Sequence, residues 1–248
     1  MFGPRPSRGE SCVPGMWETK DPLARMAAKV ARELLYIPIV HTAADMGSAA
    51  GPLQAAWEQQ LGKGWEQHQA EVASYWRRAR DELFGYLEAE LGGRDAGCER
   101  VRIYQDGLPV GGEQARRIAE QVAARGSENY QIVQVLLERG AQLEQTEQAE
   151  LLKEEYDLIR QVLAAQTPEE MVRRQRRYQE RAAALLDERD EFIARAIDRT
   201  LRSGEIGVLF IGALHQIAPR LPADIAVTFL PRQVAGPDEP GRHPGGEI

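Results

Sequence analysis

The chain has 248 residues, 43% hydrophobic and 28% charged, which is enough to bury a core and too apolar for disorder over most of its length. Its net charge of −7 gives no bulk electrostatic case for nucleic acid, and no apolar run reaches the ~18 residues that cross a bilayer. Two isolated cysteines, Cys12 and Cys98, exclude a disulfide framework or a cysteine-based zinc cage. The first thirty residues lack the apolar stretch of a secretory signal, so the expected location is the cytoplasm.

Residues 1–25 are rich in Gly, Pro and Ser and read as a disordered leader, with Met16 or Met26 as alternative starts. Residues 26–230 are expected to form a single α/β domain, and the Pro/Gly-rich stretch 231–248 a disordered tail. The first strand is expected at 35–40 (LYIPIV), short and apolar enough for a buried central position, although Pro38 removes one ladder donor. It ends at His41, with Asp45 one short turn later. A long helical region follows over 52–91, where Trp57, Leu61, Trp65, His68, Val72, Tyr75, Ala79 and Leu83 share one face at steps of three and four.

A second strand at 99–105 ends in the turn Asp106-Gly107-Leu108-Pro109. Helices over 113–125 and 127–139 stop at Gly126 and Gly140. A short strand at 141–145 precedes a helix from about Glu147 to Gln166. Thr167-Pro168-Glu169-Glu170 then carries the signature of a capped helix start, with Pro168 in the first turn and Glu170 closing a capping box. That helix runs to about 203. The clearest strand, GVLFI at 207–211, leads into Gly212-Ala213-Leu214-His215, and IAVTFL at 225–230 is the last. Strands alternating with helices predict a mostly parallel sheet of about five strands with helices on both faces and a long helical insertion after the first strand.

In such a sheet, ligands bind beyond the carboxyl ends of the strands. His41, Asp106, Glu147 and His215 each follow a predicted strand, and there are only four histidines in the chain. Arg189 falls near the middle of the stripe formed by Leu185, Phe192, Ile193, Ala196 and Ile197, where a guanidinium needs a partner. That partner is Asp187, another acid, or an anionic substrate. The arginines at 173, 174, 176 and 177 stand among acids and read as a solvated helix face. Several chemistries are absent: GxSxG, GxxxxGK[ST], HExxH and CxxC do not occur.

The stretch 185–230 (LLDERDEFIARAIDRTLRSGEIGVLFIGALHQIAPRLPADIAVTFL) resembles the C-terminal part of TraB-like proteins and the wider ChaN/erythromycin-esterase-like group. The shared pattern is ERxxxIAxxI, a strand, GxxH and a final strand, with His41 matching the group's other histidine. Pro38 stands where that group often has a glycine, and Gln105-Asp106 where it often has a glutamate. The resemblance implies an α/β fold with histidines and acids at the sheet ends. Hydrolases, metal-dependent peptidases and haem-binding proteins all occur in the group.

The leading expectation is a hydrolase acting on a small molecule. His41, His215, Asp106, Glu147 and Arg189 would be its catalytic set, and His41, His215 and Asp45 would hold a divalent metal. Asp106 and Glu147 compete for a further ligand position. The alternative is a non-catalytic module holding a small ligand or haem against Trp57, Trp65 and Trp76. The long helices also make a homo-oligomer conceivable. No nucleic-acid or membrane partner is expected.

Overall fold

The computed structural model describes residues 32–40 and 65–232. The expected leader, nearly all of the expected tail, His41, Asp45, Trp57 and the 52–64 part of the expected first helix lie outside the described residues. What is described belongs to one compact unit, Ala31–Ile248. No helix among these residues is long and apolar enough to cross a membrane.

The elements in chain order are β1 (Arg32–Ile39), α1 (Trp65–Leu91), β2 (Val101–Gln105), α2 (Gly112–Ala124), α3 (Glu128–Glu138) and β3 (Gln142–Glu144). After them come α4 (Ala149–Leu163), α5 (Pro168–Thr200), β4 (Ile206–Gly212), a 3₁₀ turn at Ala218–Arg220 and β5 (Ile225–Phe229). The five strands form one sheet of order β3-β2-β4-β1-β5, with every neighbouring pair parallel. This is the expected α/β architecture.

Period-two alternation gives the sheet two apolar faces. Leu35, Ile37, Val101, Ile103, Val208 and Phe210 join the core built with α1, α2 and α3. Leu34, Tyr36, Tyr104, Leu209 and Ile211 point the other way, onto Ile193, Ala194 and Ile197 of α5. On α1, Val72, Trp76, Ala79, Leu83 and Leu87 follow one another at steps of three and four and are all buried. Full burial of each large side chain contributes roughly 1.5–3 kcal/mol. On α2 the buried positions are all alanine, Ala115, Ala119 and Ala123, small enough for close helix packing.

Pro38 costs the sheet little, and the register shows why. The Leu230 N–H donates to the Tyr36 carbonyl at 2.9 Å, so Pro38, two residues on, also faces the β5 side. Pairing with β5 ends at Tyr36, so no ladder donor is missed there, and the Pro38 carbonyl accepts from the Tyr75 hydroxyl. β1 also begins three residues earlier than its apolar run suggests. Arg32 is accommodated at the start of the strand by ion pairs to Asp198 and Asp224, both at 2.8 Å.

α5 is capped by Thr167, whose hydroxyl accepts from the Glu170 N–H. The carboxylate of Glu170 reaches back to the Gln166 N–H at 2.8 Å, one residue beyond the partner that a capping box uses. At 33 residues α5 is roughly 50 Å long. Its first buried side chain is Leu185, so its N-terminal half packs mainly on α4 as a helical hairpin. Arg181 ties the two helices together, with Glu154 at 2.7 Å and Glu188 at 2.6 Å. Arg102, near the amino end of β2, bridges Glu144, the last residue of β3, at 2.5 Å and Glu205, just ahead of β4, at 2.9 Å.

Candidate functional site

Four segments bring polar side chains to the carboxyl end of the sheet. Asp106 follows β2, and its backbone N–H continues the ladder to the Phe210 carbonyl of β4 at 2.9 Å. That bond sets Asp106 beside the end of β4, where its Oδ2 accepts the Gly212 N–H at 3.0 Å. Gly212 is not among the glycines with a left-handed backbone. It needs space: a Cβ there would stand 3.1 Å from Asp106 Oδ2 and 3.5 Å from the His215 ring. The turn to His215 is closed by the His215 N–H on the Gly212 carbonyl at 3.1 Å.

Glu147 lies in the loop after β3, ahead of α4 rather than at its first residue. Both Thr146 and Glu147 donate their N–H groups to the Leu108 carbonyl, at 3.0 and 3.1 Å. The Thr146 hydroxyl accepts from the Gln105 N–H at 3.0 Å, so the loop is fastened to the end of β2. The Glu147 side chain is wholly buried.

Arg189 reaches this loop from α5 and donates from all three of its guanidinium nitrogens. Nε contacts both Glu147 oxygens at 3.2 Å, and Nη2 donates to Glu147 Oε1 at 2.6 Å. Nη2 also donates to Asp106 Oδ1 at 2.9 Å, and Nη1 to Glu155 Oε2 of α4 at 2.7 Å. Arg189 is therefore buried against acids, as its place in the stripe requires. Asp187 is not among them, because it lies on the exposed side of α5 and pairs with Arg220 at 2.6 Å. Burial pushes the Glu147 carboxyl above the usual range; Arg189 opposes this and Asp106 adds to it. The Arg189 guanidinium is held charged by its carboxylates against the cost of burial.

His215 is fixed from the next residue of α5. Its Nδ1 meets Asp190 Oδ1 at 2.5 Å, and Asp190 Oδ2 accepts the Gln216 N–H at 2.8 Å. An ionised carboxylate can only accept, so this contact assigns the proton to Nδ1 and leaves Nε2 directed at Asp106 Oδ2, 3.7 Å away. The Tyr36 hydroxyl donates to the His215 carbonyl at 3.2 Å. Burial first, then Asp190 and Asp106, push that phenol up to about 12, so it remains a neutral donor.

Asp106, Glu147 and His215 each offer one ligand atom, and the three atoms lie within 4.8 Å of one another. Asp106, Glu147, Arg189 and His215 were all expected from the sequence and are brought together. His41 and Asp45 lie outside the described residues. β1, which precedes His41, is the direct neighbour of β4, which precedes His215. Trp76 does not line a crevice. It is 1% exposed in the core, and its Nε1–H donates to the Val40 carbonyl at 2.8 Å. Trp65 stands at the start of α1 with its ring 5.6 Å from that of His68.

Sequence reasoning missed Asp190 and Glu155. Asp190 carried a usable signal: with Ile193, Ala194 and Ile197 it falls at helical spacing inside the same buried stripe that drew attention to Arg189. Glu155 carried none that separates it from its neighbour Glu154, which lies exposed on Arg181.

No family model, curated protein or solved structure matches this chain.

Proposed function

We propose that this protein is a metal-assisted hydrolase of a small molecule, with a divalent cation held by Asp106, Glu147 and His215. The observation that carries the reading is the uneven charge of the cluster. Four carboxylates, Asp106, Glu147, Glu155 and Asp190, are met by the buried Arg189 guanidinium, the His215 imidazole and the partly exposed Arg220, 3.9 Å from Asp190, and most of the cluster is buried. Buried negative charge in excess calls for a cation or for protons.

The donor set fits. Two carboxylate oxygens and an imidazole nitrogen suit Zn²⁺ or Mn²⁺. Bonds of about 2.0–2.2 Å would draw the three ligand atoms somewhat closer than their present limit of 4.8 Å. The second layer is of the kind that orients metal ligands: Asp190 fixes the tautomer and ring plane of His215, while the Gly212 N–H fixes Asp106.

A divalent ion bound there would polarise a substrate oxygen and lower the pKa of a bound water. Arg189 keeps Asp106 and Glu147 aligned and supplies positive charge beside them, where an oxyanion would develop. The test is titration of the full chain with Mn²⁺ and Zn²⁺ by calorimetry, followed by assay of the loaded protein on chromogenic carboxylate and phosphate esters. The expected result is one ion per chain, lost in His215→Ala and Asp106→Asn, with ester turnover abolished by chelation. Failure to bind either ion, or turnover indifferent to chelation, overturns the reading.

A further inference from the structure

A second polar site lies on the α4–α5 hairpin. Arg160 of α4 and Arg173, Arg174 and Arg177 of α5, together with Asp157 and Gln161, line a cleft of about 590 Å³. Pockets of roughly 300–1,000 Å³ are the size that takes small molecules. Arg174 is a fixed wall of this cleft. It pairs with Glu170 and donates to the Gln161 carbonyl at 2.5 Å, near the end of α4.

The other three arginines differ from most of those on α5. Arg176, Arg181, Arg189 and Arg195 each hold a carboxylate. Among the described residues no ion pair engages Arg160, Arg173 or Arg177. Arg160 lies over the Tyr156 ring, with its guanidinium carbon 5.7 Å from the centroid. Four guanidinium groups thus line the cleft with Asp157 as its one acid, and Glu170 pairs with Arg174, a local positive excess in a chain of net charge −7.

We propose that this cleft binds a phosphorylated small molecule, with its phosphate on Arg160, Arg173 and Arg177. Guanidinium forks match phosphate oxygens in pairs, and arginines on two facing helices surround such a group from both sides. Asp157 repels a ligand that is anionic throughout and accepts from a hydroxyl, so the ligand carries a hydroxylated body beside its phosphate, as a nucleotide does. The site is separate from the acidic cluster. Arg177 and Arg189 are twelve residues apart on one helix, roughly 18 Å.

The test is calorimetric titration of the full chain with ADP and with inorganic pyrophosphate, in chelator so that no metal chemistry contributes. One-to-one ADP binding is expected, weakening with salt and falling at least about tenfold in Arg173→Glu/Arg177→Glu. Arg199→Glu, an exposed site near the other end of α5, should bind as the parent does. Asp157→Asn should improve pyrophosphate binding relative to ADP. No ADP binding up to about 10 mM, equal binding by the double variant, or equal weakening by Arg199→Glu overturns the proposal. So does a single-stranded RNA that binds while ADP fails to compete for it. Melting curves of each variant establish that the charge reversals leave the fold intact.

Discussion

Arg189→Met keeps most of the aliphatic stem and removes the guanidinium, leaving three carboxylates without their common partner. Asp106 and Glu155 retain side-chain exposures of 19% and 25% and can turn to water, whereas Glu147, at 0%, cannot. The stranded Glu147 can escape only by taking up a proton. For a carboxyl with an unfolded-state pKa of about 4.3 this costs roughly 1.4 kcal/mol per pH unit, or about 3.7 kcal/mol at pH 7. That value is a ceiling, because burial already raises this group's pKa while Arg189 is present. Breaking a buried ion pair by removing one partner costs about 3–5 kcal/mol, which overlaps it. The expected destabilisation is therefore about 3 kcal/mol at pH 7. A raised folded-state pKa gives a penalty that vanishes below the unfolded-state value and grows as the pH rises, so at about pH 5.5 the ceiling falls to roughly 1.6 kcal/mol. Urea unfolding followed by tryptophan fluorescence, with parent and variant compared at each pH, measures both values. Adding Glu147→Gln to the variant should recover most of the loss at pH 7. A loss below about 1 kcal/mol at pH 7, or one of equal size at both pH values, would refute the account of a buried charge held by Arg189.

Asp190→Asn should leave the far-UV spectrum unchanged while weakening Mn²⁺ or Zn²⁺ binding by about 10–100-fold, because the imidazole loses the carboxylate that orients it; calorimetry reads this directly. Trp76→Ala removes the largest fully buried side chain among the described residues and should cost about 3–5 kcal/mol in urea unfolding, with the loss of its bond to Val40 included. Burial works against the Glu205 carboxylate, but Arg102 and the Arg202 N–H outweigh it and hold its pKa below the usual value. Its contribution is thus complete above about pH 4.3 and is lost as the pH falls through the lower folded value. The stability gap between parent and Glu205→Gln should therefore narrow between about pH 5 and pH 3; an unchanged gap across acid titration would contradict this.

The sequence by itself determined the order and type of the elements, because these follow from local patterns. Alternation and apolar runs mark β1, β2 and β4, spacings of three and four mark α1 and α5, and Thr167-Pro168 marks a helix start. It also exposed Asp106, Glu147 and His215 as residues at strand ends, and Arg189 as a charge in an apolar stripe. What it could not supply was their pairing. Arg189 meets Glu147 and Asp106 across separations of 42 and 83 residues, and nothing in either neighbourhood names the other. The strand order decides it: only when β2 lies between β3 and β4 do the loops bearing Asp106, Glu147 and His215 converge beneath α5. The division of labour between Arg189 and Asp190 is also tertiary. Consecutive helix residues diverge by about 100°, so one reaches the β3 loop and the other the β4 loop, and which of them meets which is set by where α5 packs on the sheet.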